Sequence, residues 1–107
     1  MASFYKNAKA DLTDASVTTL YTAPAATTAI FRSLVVADDS GSTSTITVTV
    51  TDSASAVFVL YNVKATVANG TVELLTQPLV IQESEVLKVT AANANRLHVI
   101  GSYLEIT

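Results

Sequence analysis

One histidine, two closely spaced glutamates and a few loop aspartates are the side chains of this chain that could do chemistry. His98 is the only histidine, so an imidazole metal ligand or a Ser–His–Asp arrangement would have to use it. No second histidine exists to complete a metal shell. There are no cysteines, which excludes disulfides, thiolate zinc sites, iron–sulfur clusters and a cysteine nucleophile. His98 lies in an alternating run, so a half-buried structural imidazole is the expected outcome.

Glu83 and Glu85 lie two residues apart. An extended backbone would set both carboxylates on one face, the pairing that sugar hydrolysis uses. They flank Ser84 just ahead of a strand, where a solvated turn is expected instead. Asp38, Asp39 and Asp52 could offer oxygens to calcium, but they lack the spacing of a calcium loop and read as turn residues. Asn69-Gly70-Thr71 has the letters of a glycosylation acceptor and reads as a hairpin-type turn. No nucleophile elbow, phosphate-cradling loop or dinucleotide fingerprint occurs. The three glycines, Gly41, Gly70 and Gly101, leave little to build one from. The expectation is a protein that is not an enzyme and uses no metal and no cofactor.

The elements that would carry these residues are strands. From Thr45 to Thr51 every residue is β-branched and the chain alternates strictly. Successive side chains of a strand point to opposite faces. Ile46, Val48 and Val50 therefore form an apolar stripe, and Thr45, Thr47, Thr49 and Thr51 a hydroxylated one. The same period of two recurs along the chain at residues 4–12, 17–22, 28–37, 44–51, 57–66, 71–75, 86–91 and 97–106, with a short addition at 79–81. Pro24 and Pro78 interrupt it, since proline donates no ladder hydrogen bond. Residues 28–37 are apolar on both faces and belong in the centre of a sheet. His98, Ile100, Ser102, Leu104 and Ile106 share one face of the last strand. About eight short strands separated by Gly, Pro, Asn and Asp predict an all-β fold, an antiparallel β-sandwich of jelly-roll type.

The length of 107 residues suits one domain spanning 1–107, with residues 1–14 as an N-terminal arm or an edge strand. Phe4 and Tyr5 would then tuck into a neighbouring copy or pair along the chain's own sheet edge. Phe31 and Phe58 sit in apolar runs and read as core. Tyr5, Tyr21, Tyr61 and Tyr103 suit the core's edge, each with its hydroxyl reaching a partner. The alternative is that exposed rings form a sugar-binding platform.

Charged residues make up only 14% of the chain, and its net charge is −3. The basic residues Lys6, Lys9, Arg32, Lys64, Lys88 and Arg96 are scattered, which argues against nucleic acid. The opening residues lack the pattern of a signal peptide, and no run reaches the length of a membrane span. A soluble protein made in a cytoplasm, with no membrane partner, is the expectation. A neutral, hydroxyl-rich exterior repels neighbouring copies weakly.

Several segments together resemble a small β-sandwich of tailed-bacteriophage virions. Residues 21–30, with Tyr21-Thr22-Ala23-Pro24 at their head, are similar to its opening strand end and turn. Residues 32–38 resemble the next strand, 71–75 and 78–81 the later pair, and 102–106 the closing strand. The family usually carries glycine after the first proline and in the loop before the penultimate strand. Ala25-Ala26 and Glu83-Ser84-Glu85 stand there instead. The resemblance implies a head decoration (cement) protein on the capsid surface of a virion. It would be bound to the major capsid protein and self-associated, with trimers favoured. The alternative is a glycan- or receptor-binding module of a tail or neck fibre. Phe4, Tyr5, Thr45, Thr47, Thr49 and Thr51 are the candidate interface residues.

Overall fold

The computed structural model describes residues 2–107. Nine strands run in chain order: β1 Ser3–Leu12, β2 Thr18–Thr22, β3 Thr28–Asp38, β4 Thr45–Thr51, β5 Val57–Ala65, β6 Thr71–Glu73, β7 Leu79–Ile81, β8 Val86–Ala91 and β9 Leu97–Ile106. No helix occurs among the described residues. One sheet has the order β1-β9-β3-β6, with β7 also on β3; the other has the order β2-β8-β4-β5. All pairings are antiparallel.

β6 pairs with Val35–Ala37 and β7 with Ala29–Phe31. The two short strands are thus halves of one strand position along β3, broken near Pro78. Counted so, the sandwich has eight positions, and its order is that of a jelly roll. In β4 the expected stripe is buried at Ile46 and Val48, while Val50 packs against the core's margin and is half-buried like the four threonines. β3 occupies the centre of its sheet as its double-sided apolar character requires.

The core fills the space between the sheets with Leu12, Phe31, Leu34, Ile46, Ile81, Leu87 and Leu97 among its largest members. At one end Tyr21, Phe31 and Tyr103 pack ring against ring, with centroids 4.6–5.4 Å apart. Such aromatic trios add about 0.5–1.5 kcal/mol per pair beyond burial. Gly101 sits under this cluster. A Cβ there would lie 2.7 Å from Phe31 Cε2, so the strand glycine marks a close approach.

Bulges bend three strands, and in β2 the register shifts between Thr19 and Tyr21. In β3 the register shifts between Phe31 and Ser33. The carboxylate of Glu73 fills the gap, accepting from the Leu34 amide at 2.7 Å and from the Ser33 hydroxyl. In β5 the register shifts twice, and Val63 adopts φ of 51°, an uncommon backbone for a β-branched residue. The Val63 amide donates to Thr47 Oγ1 at 3.1 Å.

Two expectations need correction. Phe58 is not core: it is 59% exposed. β5 forms the edge of its sheet, and the facing strand position consists only of β6 and β7, three residues each. A nine-residue strand therefore overhangs its cover. The Asn69-Gly70 turn does form, with the Gly70 amide donating to Val67 O at 3.0 Å. It joins β5 to β6, strands of different sheets, so it makes a crossover and not a hairpin. Turn chemistry is local, whereas strand partners are set by burial.

Candidate functional site

The residues with reactive potential are each engaged in local structure. His98 lies on the outer face of β9, half-buried, with Nε2 3.2 Å from Asp11 Oδ1 and Nδ1 3.9 Å from Asp39 Oδ2. Glu83 and Glu85 fall in the turn between β7 and β8. Glu83 accepts from the Ala26 amide at 2.9 Å and Glu85 from the Gln82 amide at 2.8 Å. Asp52 accepts from the Ala54 and Ala56 amides.

Asp38 is buried, and its Oδ1 takes both the amide and the hydroxyl of Ser40. Those bonds hold its carboxyl below the usual carboxylate range. Its Oδ2 is buried without a partner among the described residues. No group of three or more His, Asp and Glu side chains that could hold a metal occurs among the described residues.

A half-buried ionic contact lies at the end of the sandwich. Glu105 points inward on β9 and is 6% exposed. It accepts from Lys6 Nζ at 2.8 Å and from the Tyr21 hydroxyl at 2.7 Å. Both bonds lower its pKa, Lys6 most strongly. Burial and the bond to Glu105 push the Tyr21 phenol well above its ordinary value. The alternation of β9 carried the signal, since Glu105 is in phase with Leu97, Val99 and Tyr103.

Three exteriors remain as candidate interaction surfaces. The first is the outer face of β1, β9, β3 and β7. Cross-strand register aligns Tyr5, Leu104, Ile30 and Val80 in one apolar rung across four strands. The next rung toward the sheet's other end is polar: Asn7, Ser102 and Ser33. Tyr5 is 80% exposed. It borders an open hollow of about 450 Å³ lined also by Lys6, Asn7, Arg32, Ser102 and Tyr103. Phe4 is half-exposed, with Lys6 Nζ 5.8 Å from its ring centroid. β1 pairs with β9 over its whole length, so these aromatics belong to an edge strand and stay largely open to solvent. Of the four tyrosines, Tyr5 alone has no place at the core's edge.

The second exterior is the threonine stripe of β4. Thr47 faces Thr90, Thr49 faces Lys88 and Thr51 faces Val86 on β8. On the other side Thr45, Thr49 and Thr51 face Ala65, Val59 and Val57 of β5. Part of its hydroxyl capacity is used internally: Thr47 supports the Val63 bulge, and Thr51 Oγ1 is buried without a partner among the described residues. The third exterior, missed in the sequence, is β5 itself. Val57, Phe58, Val59, Leu60 and Val63 are all exposed on it, and Val67 follows.

The fold and these surfaces define an antiparallel β-sandwich whose open apolar surface lies on the outer face of one sheet and the edge of the other. Compared with protein-family models, with curated proteins and with solved structures, the chain matches none.

Proposed function

We propose that this chain is a structural virion protein, a head decoration protein of a tailed phage that seats on the capsid lattice and stabilises it. The observation that carries the reading is the four-strand rung Tyr5–Leu104–Ile30–Val80 beside the polar Asn7, Ser102 and Ser33. A broad face of this kind, with apolar and polar rungs side by side, suits a protein partner. Jelly rolls serve in capsid and lectin domains generally, which is an argument from analogy. Many weak contacts repeated over a lattice add up to tight attachment.

The test is co-sedimentation of the purified chain with capsids lacking it, followed by electron microscopy of the particles. Added density over the capsid, lost in Tyr5→Ala with the fold intact, is the expected result. Folded protein that leaves capsids bare overturns the reading.

A second reading, a glycan-binding module of a tail or neck fibre, is favoured by the hollow beside Tyr5. Its lining of Tyr5, Asn7, Arg32 and Ser102 offers one ring for stacking and several donors for hydroxyls. Reproducible glycan-array binding abolished by Tyr5→Ala, without capsid binding, would select it.

A further inference from the structure

Arg32 owes its place to the bulge in β3. Phe31 and Leu34 are both buried, yet two residues separate them where strict alternation allows one. The register accounts for the extra residue. Phe31 faces Tyr103 and Ser33 faces Ser102, so Arg32 has no counterpart on β9. Arg32 and Ser33 therefore both turn to the outer face. The bulge is held from the β6 side, where Glu73 accepts from the Ser33 hydroxyl and the Leu34 amide. Bulges commonly re-aim a side chain beside a site.

The side chain re-aimed here lines the open hollow of about 450 Å³ next to Tyr5. Its lining contains two cations, Lys6 and Arg32, and no carboxylate. Lys6 is already paired with the buried Glu105. Arg32 has no carboxylate partner among the described residues. A chain of net charge −3 thus presents an uncompensated guanidinium at a hollow. Its planar fork of donors matches a carboxylate through two parallel hydrogen bonds. One guanidinium balances one negative charge, which favours a carboxylate over a nearly dianionic phosphate ester. Beside it Asn7 and Ser102 face one another across β1 and β9, an amide and a hydroxyl on the outer face. Tyr5 adds an aromatic ring that is 80% exposed.

We infer that this hollow is a subsite for an acidic sugar, a hexuronate unit of a polysaccharide. Arg32 binds its carboxylate, Asn7 and Ser102 bind its hydroxyls, and its ring lies on Tyr5. The inference rests on the glycan-binding reading of the hollow and adds the charge of the ligand. A neutral sugar would leave the guanidinium without a counter-charge. A bare carboxylate would leave the ring and the polar pair unused. The volume lies within the roughly 300–1,000 Å³ of small-molecule sites.

The experiment is an NMR titration of the isotope-labelled full chain with methyl glucuronide and with methyl glucoside, which differ only in a carboxylate against a hydroxymethyl group. Sodium acetate is the third probe. The glucuronide should shift the amides of Tyr5, Asn7, Arg32 and Ser102 saturably. It should bind about ten-fold tighter than the glucoside, the scale of one charge-assisted hydrogen bond. Arg32→Gln should bring the glucuronide down to the affinity of the glucoside, and Arg32→Lys should keep part of the difference. Tyr5→Ala should weaken both sugars. Each variant should retain the circular dichroism of the unmodified chain, since both side chains are exposed. A glucoside that binds as tightly as the glucuronide overturns this inference and leaves the glycan reading standing. Acetate as tight as the glucuronide overturns it too, as does a glucuronide affinity unmoved by Arg32→Gln. If neither sugar shifts the hollow, the inference and the glycan reading fall together.

Discussion

The hydroxyl of Tyr21 donates to the carboxylate of Glu105 at 2.7 Å, and the two residues belong to different sheets. At the opposite edge the Tyr61 hydroxyl of β5 donates to Leu74 O, just past β6. Each phenol ties one layer to the other where the core runs out. The Glu105 contact is the costlier to break, because its acceptor is a buried charge.

Tyr21→Phe keeps the ring packing and removes the hydroxyl. It should destabilise the fold by about 1–3 kcal/mol, the cost of leaving a buried acceptor short of a partner. Chemical denaturation measures it. Lys6→Met should cost less, because its ammonium remains in water.

Acid should weaken the fold through Glu105. Its folded pKa lies below the ordinary value of 4.5, so its contribution is fully present above that value and is lost as the pH falls through the folded one. Glu73 acts in the same direction. Burial raises its pKa, but the hydroxyl of Ser33 and the amides of Leu34, Leu75 and Leu74 outweigh it. Denaturation midpoints should hold from neutral pH down to about 4.5 and then decline, and Glu105→Gln should remove part of the slope. On the alkaline side the Tyr21 pKa is raised above 10.0. The unfolded phenol then ionises first, and stability should fall above about pH 10.

Val48→Asp and Thr47→Asp separate the two faces of β4. Val48 is fully buried, so an unpaired carboxylate there should cost about 4 kcal/mol or more and unfold the domain. In Thr47→Asp the new carboxylate would still accept from the Val63 amide, so the fold should persist. If the threonine face is an interface, assembly should be lost. Circular dichroism with size measurement distinguishes the outcomes, and equal effects would contradict the assignment of faces.

Gly101→Ala should cost about 1–3 kcal/mol by overpacking against Phe31. In a double-mutant cycle, Phe31→Leu should recover part of that cost, since the smaller side chain vacates the space. Additive losses would mean that the close approach is not the cause.

The strand pattern is legible wherever one face meets the core. β4, β8 and β9 alternate because half of each is buried, and β3, in the interior of its sheet, carries apolar residues on both faces, interrupted at Arg32 and Ser33. β5 misleads because its residues resemble a central strand: Val57 and Val59 share the outer face with Thr51 and Thr49, and Phe58, paired with Val50, is left bare beyond the short β6 and β7. The bulges in β3 and β5 have no local signature, because Arg32 and Val63 are ordinary strand residues. Glu105 can be read from its phase, but its partners Lys6 and Tyr21 are 99 and 84 residues away in sequence. Tyr5 stands out as a candidate interface residue by its aromatic character near the start. Its rung partners Ile30 and Val80 emerge only from register.

Pairing of β1 with β9 also brings the first and last described residues together: Ala2 and Thr107 exchange two backbone hydrogen bonds, of 3.1 and 2.9 Å. A short linker could splice them without disturbing the ladder, so the chain is suited to circular permutation with new ends opened in a surface turn. A payload fused at either end would leave from the same corner, on the side away from β5. Cargo could be displayed there while that edge stays free.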